Sequence, residues 1–553
     1  MVVLKTQSEW GCAPPPQTPY SIISNLPEWD LWLNLRGGDA SKVVTATHIY
    51  PRLAPTQAAR ALTDAIAQRL GLSDKLCMAY YNPMMWKYTA NHVQHKFRKE
   101  YAITPDKLVF KAVDIAGHRL YAILYDKQNA KALGLSWKTP GIGLSIRAAE
   151  YLLKHIDTMN EVQCAFDVPP EPTWTPEGPA HQLLRQRVVD LLHHGAIDPS
   201  NVTCKASDVF LYPTGMAAVF HSNGILEKYI PDGMNIEMGV VFHSTHELMY
   251  EDSINGWKHF GRVDTQSLDS MEAWLRDGNR VSYAIIEFPG NPTLESVDLH
   301  RLKALAETFN FVLIVDDTIG SASNIDVFAL SDMTLTSLTK SFSGRADVLG
   351  GSVVLNPLSK HYSELSRRFS VAHHNELFAD DAAVLLSNSQ DYFARATILN
   401  ANARGMAEFL HKSITDVPDS PVISVQYPSL MDSKANFDKF KRKSTAEMPD
   451  PGYGCLLTIN FESLETAKAF YNNCGFYSSP HLAGHVTIMF PYNMLMFGGD
   501  PKEAEEYRGY GAIEESIRIS AGLEDINDLV DTLQSALDKA IDVKKKGAAA
   551  AEN

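Results

Sequence analysis

Lys340 stands in Thr-Leu-Thr-Ser-Leu-Thr-Lys-Ser-Phe-Ser-Gly-Arg-Ala-Asp-Val-Leu-Gly-Gly, residues 334–351, with Ser337, Thr339 and Ser341 all within three positions of it. Lysine forms a reversible imine with an aldehyde, and a turn of hydroxyls and glycines suits a phosphorylated ligand, so the stretch reads as an attachment point for pyridoxal phosphate. Taken alone, a Ser/Thr-rich loop with a solvated lysine has the same composition. A second feature separates the two readings. Residues 311–315, Phe-Val-Leu-Ile-Val, form an apolar run of strand length that delivers Asp316, Asp317 and Thr318 at its carboxyl end, where open parallel sheets collect their ligands. A carboxylate there can pair with a pyridinium nitrogen and keep the ring electron-withdrawing.

The elements around these residues follow from pattern. Val209-Phe-Leu-Tyr-Pro-Thr-Gly-Met-Ala-Ala218 runs from strand through a glycine turn into a small-residue helix start, whose unpaired amides suit an anion. Strands centred on Phe210, Val240, Ile285, Ile314 and Leu335, separated by helical or polar stretches, predict a doubly wound α/β layer. Residues 516–525 alternate as a half-buried strand holding Arg518, which needs an anionic partner, either a carboxylate of the chain or a ligand.

Val315-Asp-Asp-Thr318, Ser337-Leu-Thr-Lys-Ser-Phe-Ser-Gly344 and Asp347-Val-Leu-Gly-Gly351 together resemble the cofactor-lysine signature of the Cys/Met-metabolism family of pyridoxal-phosphate enzymes, in the wording of the fungal-type cystathionine gamma-synthases. The resemblance implies a fold-type-I α/β architecture: a large domain with a mostly parallel sheet, a smaller α+β C-terminal domain and an N-terminal extension. It implies that Lys340 holds the cofactor, Asp316 faces the pyridine nitrogen, and Ser337 and Thr339 bind the phosphate with Gly215 and Met216. Glu287-Phe-Pro-Gly-Asn-Pro292 is similar to a family element that places Asn291 at the cofactor's phenolic oxygen. Arg518 is implied to fork the substrate α-carboxylate.

Phe242 aligns with the ring-stacking aromatic, which is tyrosine in most relatives; phenylalanine stacks but moves no proton, and Tyr250 is the rival assignment. The family's Tyr-x-Arg element, supplied to a neighbouring subunit's phosphate, is not found between residues 151 and 180, so another cation must serve or the phosphate is held less tightly. The implied activity is γ-replacement on an O-acylated homoserine, with cysteine as the incoming thiol. A different nucleophile, γ-elimination or an inactive cofactor-binding paralogue are the alternatives. Amino-acid substrates and a homodimer or homotetramer with sites at the subunit boundary are the implied partners.

With 553 residues the chain is too long for one core, and a net charge of −15 argues against nucleic acid or an anionic membrane as partner. No apolar run reaches the roughly 18 residues of a membrane span, and the first residues lack a signal-peptide core. The six cysteines lack C-x-x-C spacing and read as reduced thiols of a cytoplasmic protein. His243 and His246 read as solvated or packing histidines because no third metal ligand has suitable spacing.

Residues 1–20 are proline-rich and expected to be mobile. Residues 21–165 form the α+β extension, which is similar to that of the fungal-type enzymes in Ser24-Asn-Leu-Pro-Glu-Trp29, His48-Ile-Tyr-Pro-Arg52 and Gly141-Ile-Gly-Leu-Ser-Ile-Arg-Ala-Ala-Glu150. Residues 166–179 are a proline linker, 180–390 the cofactor domain and 391–545 the small domain, with 437–451 a solvated insertion and 546–553 a disordered tail.

Overall fold

The computed structural model describes residues 2–551 and contains three sheets in chain order. The first is antiparallel and four-stranded: β1 (Leu76–Tyr80), β2 (Leu108–Ile115), β3 (His118–Tyr125) and β4 (Asn160–Val162), in the order β1-β3-β2-β4. The β2–β3 pair is the hairpin written in its alternating apolar residues, closed by Ala116 and Gly117 at positive φ.

The second sheet has seven strands: β5 (Val209–Tyr212), β6 (Met234–Met238), β7 (Trp257–Phe260), β8 (Val281–Glu287), β9 (Val312–Asp316), β10 (Met333–Thr336) and β11 (Gly351–Leu355). Their order is β5-β11-β10-β9-β8-β6-β7, parallel from β10 through β7 and antiparallel at β11 and β5. Every residue of β8 and β9 is buried, which is why these strands read as unbroken apolar runs rather than alternating ones. The strand expected around Val240 is displaced: β6 ends at Met238 because Gly239 takes φ +77, and Phe242 instead precedes the helix His243–Asp252.

The third sheet comprises β12 (Val422–Gln426), β13 (Leu456–Phe461), β14 (Tyr477–Ser478), β15 (Ile488–Phe490) and β16 (Ser516–Ser520), in the order β12-β13-β16-β15-β14. The helix Tyr392–Asp416 leads into it from the second sheet.

Three segments differ from expectation. The N-terminal residues expected to be mobile are pinned: Val2 N donates to Asp531 at 2.7 Å, Leu4 N to Thr532 at 2.8 Å, and Ala13 is fully buried. The stretch 437–451 is not a solvated insertion. Phe437, Phe440 and Met448 are buried, and the Arg442 guanidinium donates to the carbonyls of Ile325, Leu192 and His194 at 2.8–2.9 Å. Its charged residues alternate with apolar ones that face inward, which composition alone conceals. At the C-terminus the helix Ile526–Ala551 continues through most of the expected tail, as an alanine-rich sequence favours; residues 552–553 lie outside the described residues.

The N-terminal segment packs on the third sheet. In the helix Trp29–Arg36, Trp32 donates its indole N–H to Tyr471 at 2.8 Å and lies edge-on to Phe490, while Trp29 lies edge-on to Tyr471. Each indole removes about 150–250 Å² from water, roughly 4–6 kcal/mol of apolar burial. That docking fixes the chain immediately downstream, residues 43–54, over the carboxyl ends of the second sheet's strands.

Candidate active site

A cavity of about 130 Å³ opens where β9, β10 and the start of the helix Gly215–Tyr229 converge, and Lys340, Asp316, Ser337, Thr339, Gly215, Met216, Phe242, Asn291 and Arg518 all line it. The nine residues assigned to the site from the sequence are therefore brought to one place. Tyr250, the rival to Phe242, is not among them: it is 45% exposed on the surface, so of these two candidates only Phe242 lines the cavity.

The lysine loop is held rigidly. Gly344 takes φ +65 and lies against the Arg395 guanidinium, so neither the backbone conformation nor the space admits a side chain there. Arg395 in turn donates to the carbonyls of Ser341 at 3.0 Å and Phe342 at 3.1 Å. The Thr339 hydroxyl exchanges hydrogen bonds with the backbone of Gly350, at 3.0 and 3.2 Å, so its donor is spent on closing the loop rather than left for a ligand.

Asp316 ends β9 with Glu287 of β8 beside it in register. The Thr318 amide donates to Asp316 at 2.9 Å and the Phe242 amide to Glu287 at 2.6 Å. Burial raises Asp316 to about 6 and, with the Asp316 charge added, pushes Glu287 well above the ordinary carboxylate range. Two acids side by side cannot both ionise cheaply, so Glu287 keeps its proton and Asp316 carries the charge. Asp317 points away, accepting from Thr336 at 2.6 Å, and does not line the cavity.

Across the cavity, Thr214 caps the helix by accepting from Ala217 N at 2.9 Å, leaving the first helical amides, those of Gly215 and Met216, without partners inside the helix. A Cβ on Gly215 would stand 2.8 Å from the Ser337 Cβ, so only glycine lets the two loops meet.

Residues 151–180 hold no Tyr-x-Arg, as read from the sequence, and a cation from elsewhere in the chain lines the cavity instead. Tyr50-Pro51-Arg52 spells it, far upstream of residues 151–180, and Tyr50 and Arg52 both line the cavity from within the same chain. Arg52 Nε and Nη2 are buried with no hydrogen-bond partner, and its Nη1 lies near Thr214 at the helix start, 3.1 Å from where a Cβ on Gly141 would stand. The β1–β4 sheet is inserted between this element and the rest of the cofactor domain, which is why spacing did not reveal it. Tyr50 and Arg52 stood in His48–Arg52, a stretch matched to the extension and not to the site, whereas His481 had no motif around it.

Lys340 Nζ donates to Tyr50 Oη at 2.9 Å and lies 3.2 Å from His481 Nδ1. Removal from water lowers the lysine, and Arg518 and Arg52 lower it further against the opposing pull of Tyr50. Burial alone would raise the Tyr50 phenol, but Lys340, Arg52 and Arg518 outweigh it and the net shift is downward.

Arg518, 3% exposed in β16, donates to Asn291 Oδ1 at 3.1 Å and to the Pro480 carbonyl at 2.9 Å, and stacks over Tyr492. Among the described residues no carboxylate pairs with it, so the alternative of an intramolecular ion pair falls away. A buried guanidinium with only neutral partners is a place for an anion.

His246, expected to be solvated or packing, sits 3.0 Å from the buried Glu237, with His259 beside them. The ligand atoms of all three lie within 4.8 Å of one another, a grouping that sequence spacing did not show. Tyr507 at 3.0 Å from His246 and the Gly239 carbonyl at 2.9 Å from His259 complete this network.

These residues fit a phosphorylated pyridine aldehyde: an amine depressed toward neutrality, an ionised acid at a strand end, and, at a helix start, an arginine with orphaned nitrogens. A family model described as Cys/Met metabolism PLP-dependent enzyme matches residues 202–538. The cystathionine gamma-synthase-like protein ankD of Aspergillus thermomutatus is 26% identical over 97% of this chain and 95% of its own length. The alanine racemase ungC of Aspergillus violaceofuscus is 30% identical over 76% of this chain and 74% of its own. Among solved structures, the cystathionine gamma synthase of Xanthomonas oryzae pv. oryzae shares the fold with a TM-score of 0.54 at 21% identity, covering 66% of this chain and 87% of that one. The chain belongs to the Cys/Met-metabolism family of pyridoxal-phosphate-dependent enzymes, and pyridoxal phosphate is its cofactor.

Proposed function

We propose that the enzyme catalyses γ-replacement on an O-acylated homoserine, with cysteine as the incoming thiol and cystathionine as product. The observation that carries this reading is Arg518 without a carboxylate partner in the same cavity as a lysine amine flanked by Tyr50 and His481. That combination grips an α-amino acid by its carboxylate while a base reaches its adjacent carbons, and γ-replacement requires protons to be taken from two neighbouring carbons in turn. The likeness to a cystathionine gamma-synthase-like protein along nearly the whole chain supports it.

Pyridoxal phosphate, when bound, supplies the electron sink that acidifies those carbons. Asp316 would pair with its ring nitrogen, Phe242 would stack on the ring and Asn291 would reach its phenolic oxygen. The Gly215 and Met216 amides, Ser337 and Arg52 would hold the phosphate. Thr339 holds the loop. Lys340, kept toward its neutral form by desolvation and two arginines, takes up the proton. Arg518 holds the α-carboxylate in a planar fork and so fixes which carbon faces Lys340. A homodimer or homotetramer is the proposed assembly, checked by light scattering.

One observation favours a second reading, a larger acceptor than cysteine. A second cavity of about 900 Å³ shares Tyr50, Arg52, Trp137, Phe242 and Pro480 with the first, and its walls come mostly from the N-terminal extension. Mixing O-acetyl- or O-succinylhomoserine with cysteine, with sulfide or with no thiol, and identifying the products by mass, tests both. Cystathionine from cysteine supports the first reading. Loss of the acyl group without thiol transfer removes it in favour of another acceptor or elimination, and interconversion of alanine enantiomers without acyl loss would align the enzyme with its racemase relative.

A further inference from the structure

Outside the cofactor cavity, Glu237 of β6 and His259 of β7 stand opposite each other in register, and His246 reaches them from the helix His243–Asp252. Among the described residues theirs is the one set of three metal-ligating side chains whose ligand atoms converge, all within 4.8 Å of one another. A fourth group closes the set. Tyr507, on the helix Pro501–Gly509 between β15 and β16, brings its hydroxyl to 3.0 Å from His246 Nδ1.

As a hydrogen-bond network this cluster does not close. His246 Nδ1 lies 3.1 and 3.0 Å from the two Glu237 oxygens and 3.0 Å from Tyr507 Oη, and a ring nitrogen carries one hydrogen or one lone pair. If it donates to Glu237, the hydroxyl hydrogen of the buried Tyr507 has no acceptor among the described residues; if it accepts from Tyr507, its lone pair faces a carboxylate. Charge is out of balance as well. Glu237 is wholly buried, and among the described residues only His246 and His259 pair with it, while Glu247 and Glu503 add negative charge around His246. Two neutral imidazoles leave that carboxylate uncompensated, which is costly away from water.

We propose that the cluster binds one zinc(II) ion through Glu237 Oε1, His246 Nδ1, His259 Nε2 and Tyr507 Oη. Donors on a tetrahedral zinc with bonds of about 2.0–2.2 Å stand about 3.3 Å apart. Here Glu237 Oε1 is 3.1 Å from His246 Nδ1 and 3.5 Å from His259 Nε2, and His246 Nδ1 is 3.0 Å from Tyr507 Oη. Two imidazoles and two oxygens suit zinc, whereas magnesium and calcium prefer oxygen alone.

On binding, each imidazole carries its hydrogen on the other ring nitrogen, and His259 Nε2 gives up the Gly239 carbonyl 2.9 Å away. The Tyr507 hydroxyl loses its proton to solvent, so the two positive charges of the ion meet one carboxylate and one phenolate. Four protein donors fill the coordination sphere, which makes the site structural. The ion ties β6, β7 and the helix that starts directly after Phe242 to a helix of the third sheet's layer.

The test uses untagged, cofactor-loaded protein dialysed first against a chelator and then against zinc chloride. Elemental mass spectrometry should find one zinc per chain. His246→Gln and His259→Gln, neither of which lines the cofactor cavity, should each weaken zinc binding by about 100-fold or more, and Tyr507→Phe by about tenfold. Retained visible absorbance of the bound cofactor reports that each variant is folded. Zinc at about 100 times its dissociation constant should raise Tm by about 2 °C in the unmodified protein and leave both histidine variants unmoved. Cobalt(II) chloride in place of zinc requires no variant: a difference spectrum with the intense visible bands of four-coordinate cobalt is expected. Zinc bound by the unmodified protein no more tightly than by both histidine variants, or cobalt with only the weak bands of the hydrated ion, overturns the proposal.

Discussion

The two walls of the cavity are built differently. One wall, Asp316, Ser337 and Lys340, comes from the ends of adjacent central strands, where β8, β9 and β10 are buried and hydrogen-bonded in register. The other, Tyr50, Arg52, His481 and Arg518, gathers residues from an N-terminal segment and from the third sheet, held together by side-chain packing around Trp29 and Trp32. The first wall is as stable as the sheet. The second can loosen without the sheet unfolding, because local opening needs only the tryptophan dock to come apart.

The largest effect belongs to the first wall. Lys340→Ala should abolish the visible absorbance of the cofactor-loaded protein and lower turnover by on the order of 10⁴-fold or more, measured by product mass after hours of incubation. Retained absorbance would show that the cofactor is not attached there.

Trp32→Ala tests the second wall without touching the cavity. Truncating a fully buried indole should destabilise by about 3–5 kcal/mol. The contrast predicts that denaturant unfolding becomes biphasic, with release of Tyr50 and Arg52 preceding loss of the central sheet, and that cofactor affinity weakens in the same step. A single transition at unchanged affinity would mean the two walls are one cooperative unit.

Arg52→Ala is smaller and more specific. Losing one charge-assisted contact of about 1.5–3 kcal/mol should raise the dissociation constant for pyridoxal phosphate by roughly 10–100-fold. The same change should leave affinity for pyridoxal, which lacks the phosphate, within about twofold. Equal losses for both compounds would remove Arg52 from the phosphate.

How far the sequence disclosed these walls follows from how each is built. Asp316, Ser337 and Lys340 were legible because a buried parallel strand must be an unbroken apolar run and its ligand residues must follow it directly, as Val312–Asp316 does. Arg518 was legible because an arginine inside a strand is anomalous. Tyr50 and Arg52 lay in His48–Arg52, a stretch read only as part of the extension, and an inserted sheet separates them from the rest of the cofactor domain, so no periodicity links them to Lys340. His481 lacks even a motif. The strand expected around Val240 slipped because Val240 and Val241 are as buried as strand residues while Gly239 has already turned the chain. The 437–451 stretch misled because Lys439, Lys441 and Lys443 hide the inward-facing Phe440 and Arg442 between them.

The smallest effect is a pH dependence that separates the walls electrostatically. Asp316 is raised to about 6 by burial, above its unfolded value near 3.8. A folded state that binds a proton more tightly than the unfolded chain is most stable below the unfolded pKa, and loses that stability as pH rises through the folded one. The apo protein should therefore lose stability between about pH 4 and pH 6, with Asp317, raised to about 7, adding the same sign over a window that extends further. A bound pyridinium would pair with Asp316 and cancel its share, whereas Asp317 lies outside the cavity and keeps its share with or without cofactor. The gain in Tm on adding pyridoxal phosphate should thus grow from pH 5 to pH 7, and in Asp316→Asn that growth should vanish while the fall in apo stability due to Asp317 persists. If the growth survives in Asp316→Asn, the pH dependence belongs to the Tyr50, Arg52 and His481 wall, and the ring nitrogen is not what the acid at 316 meets.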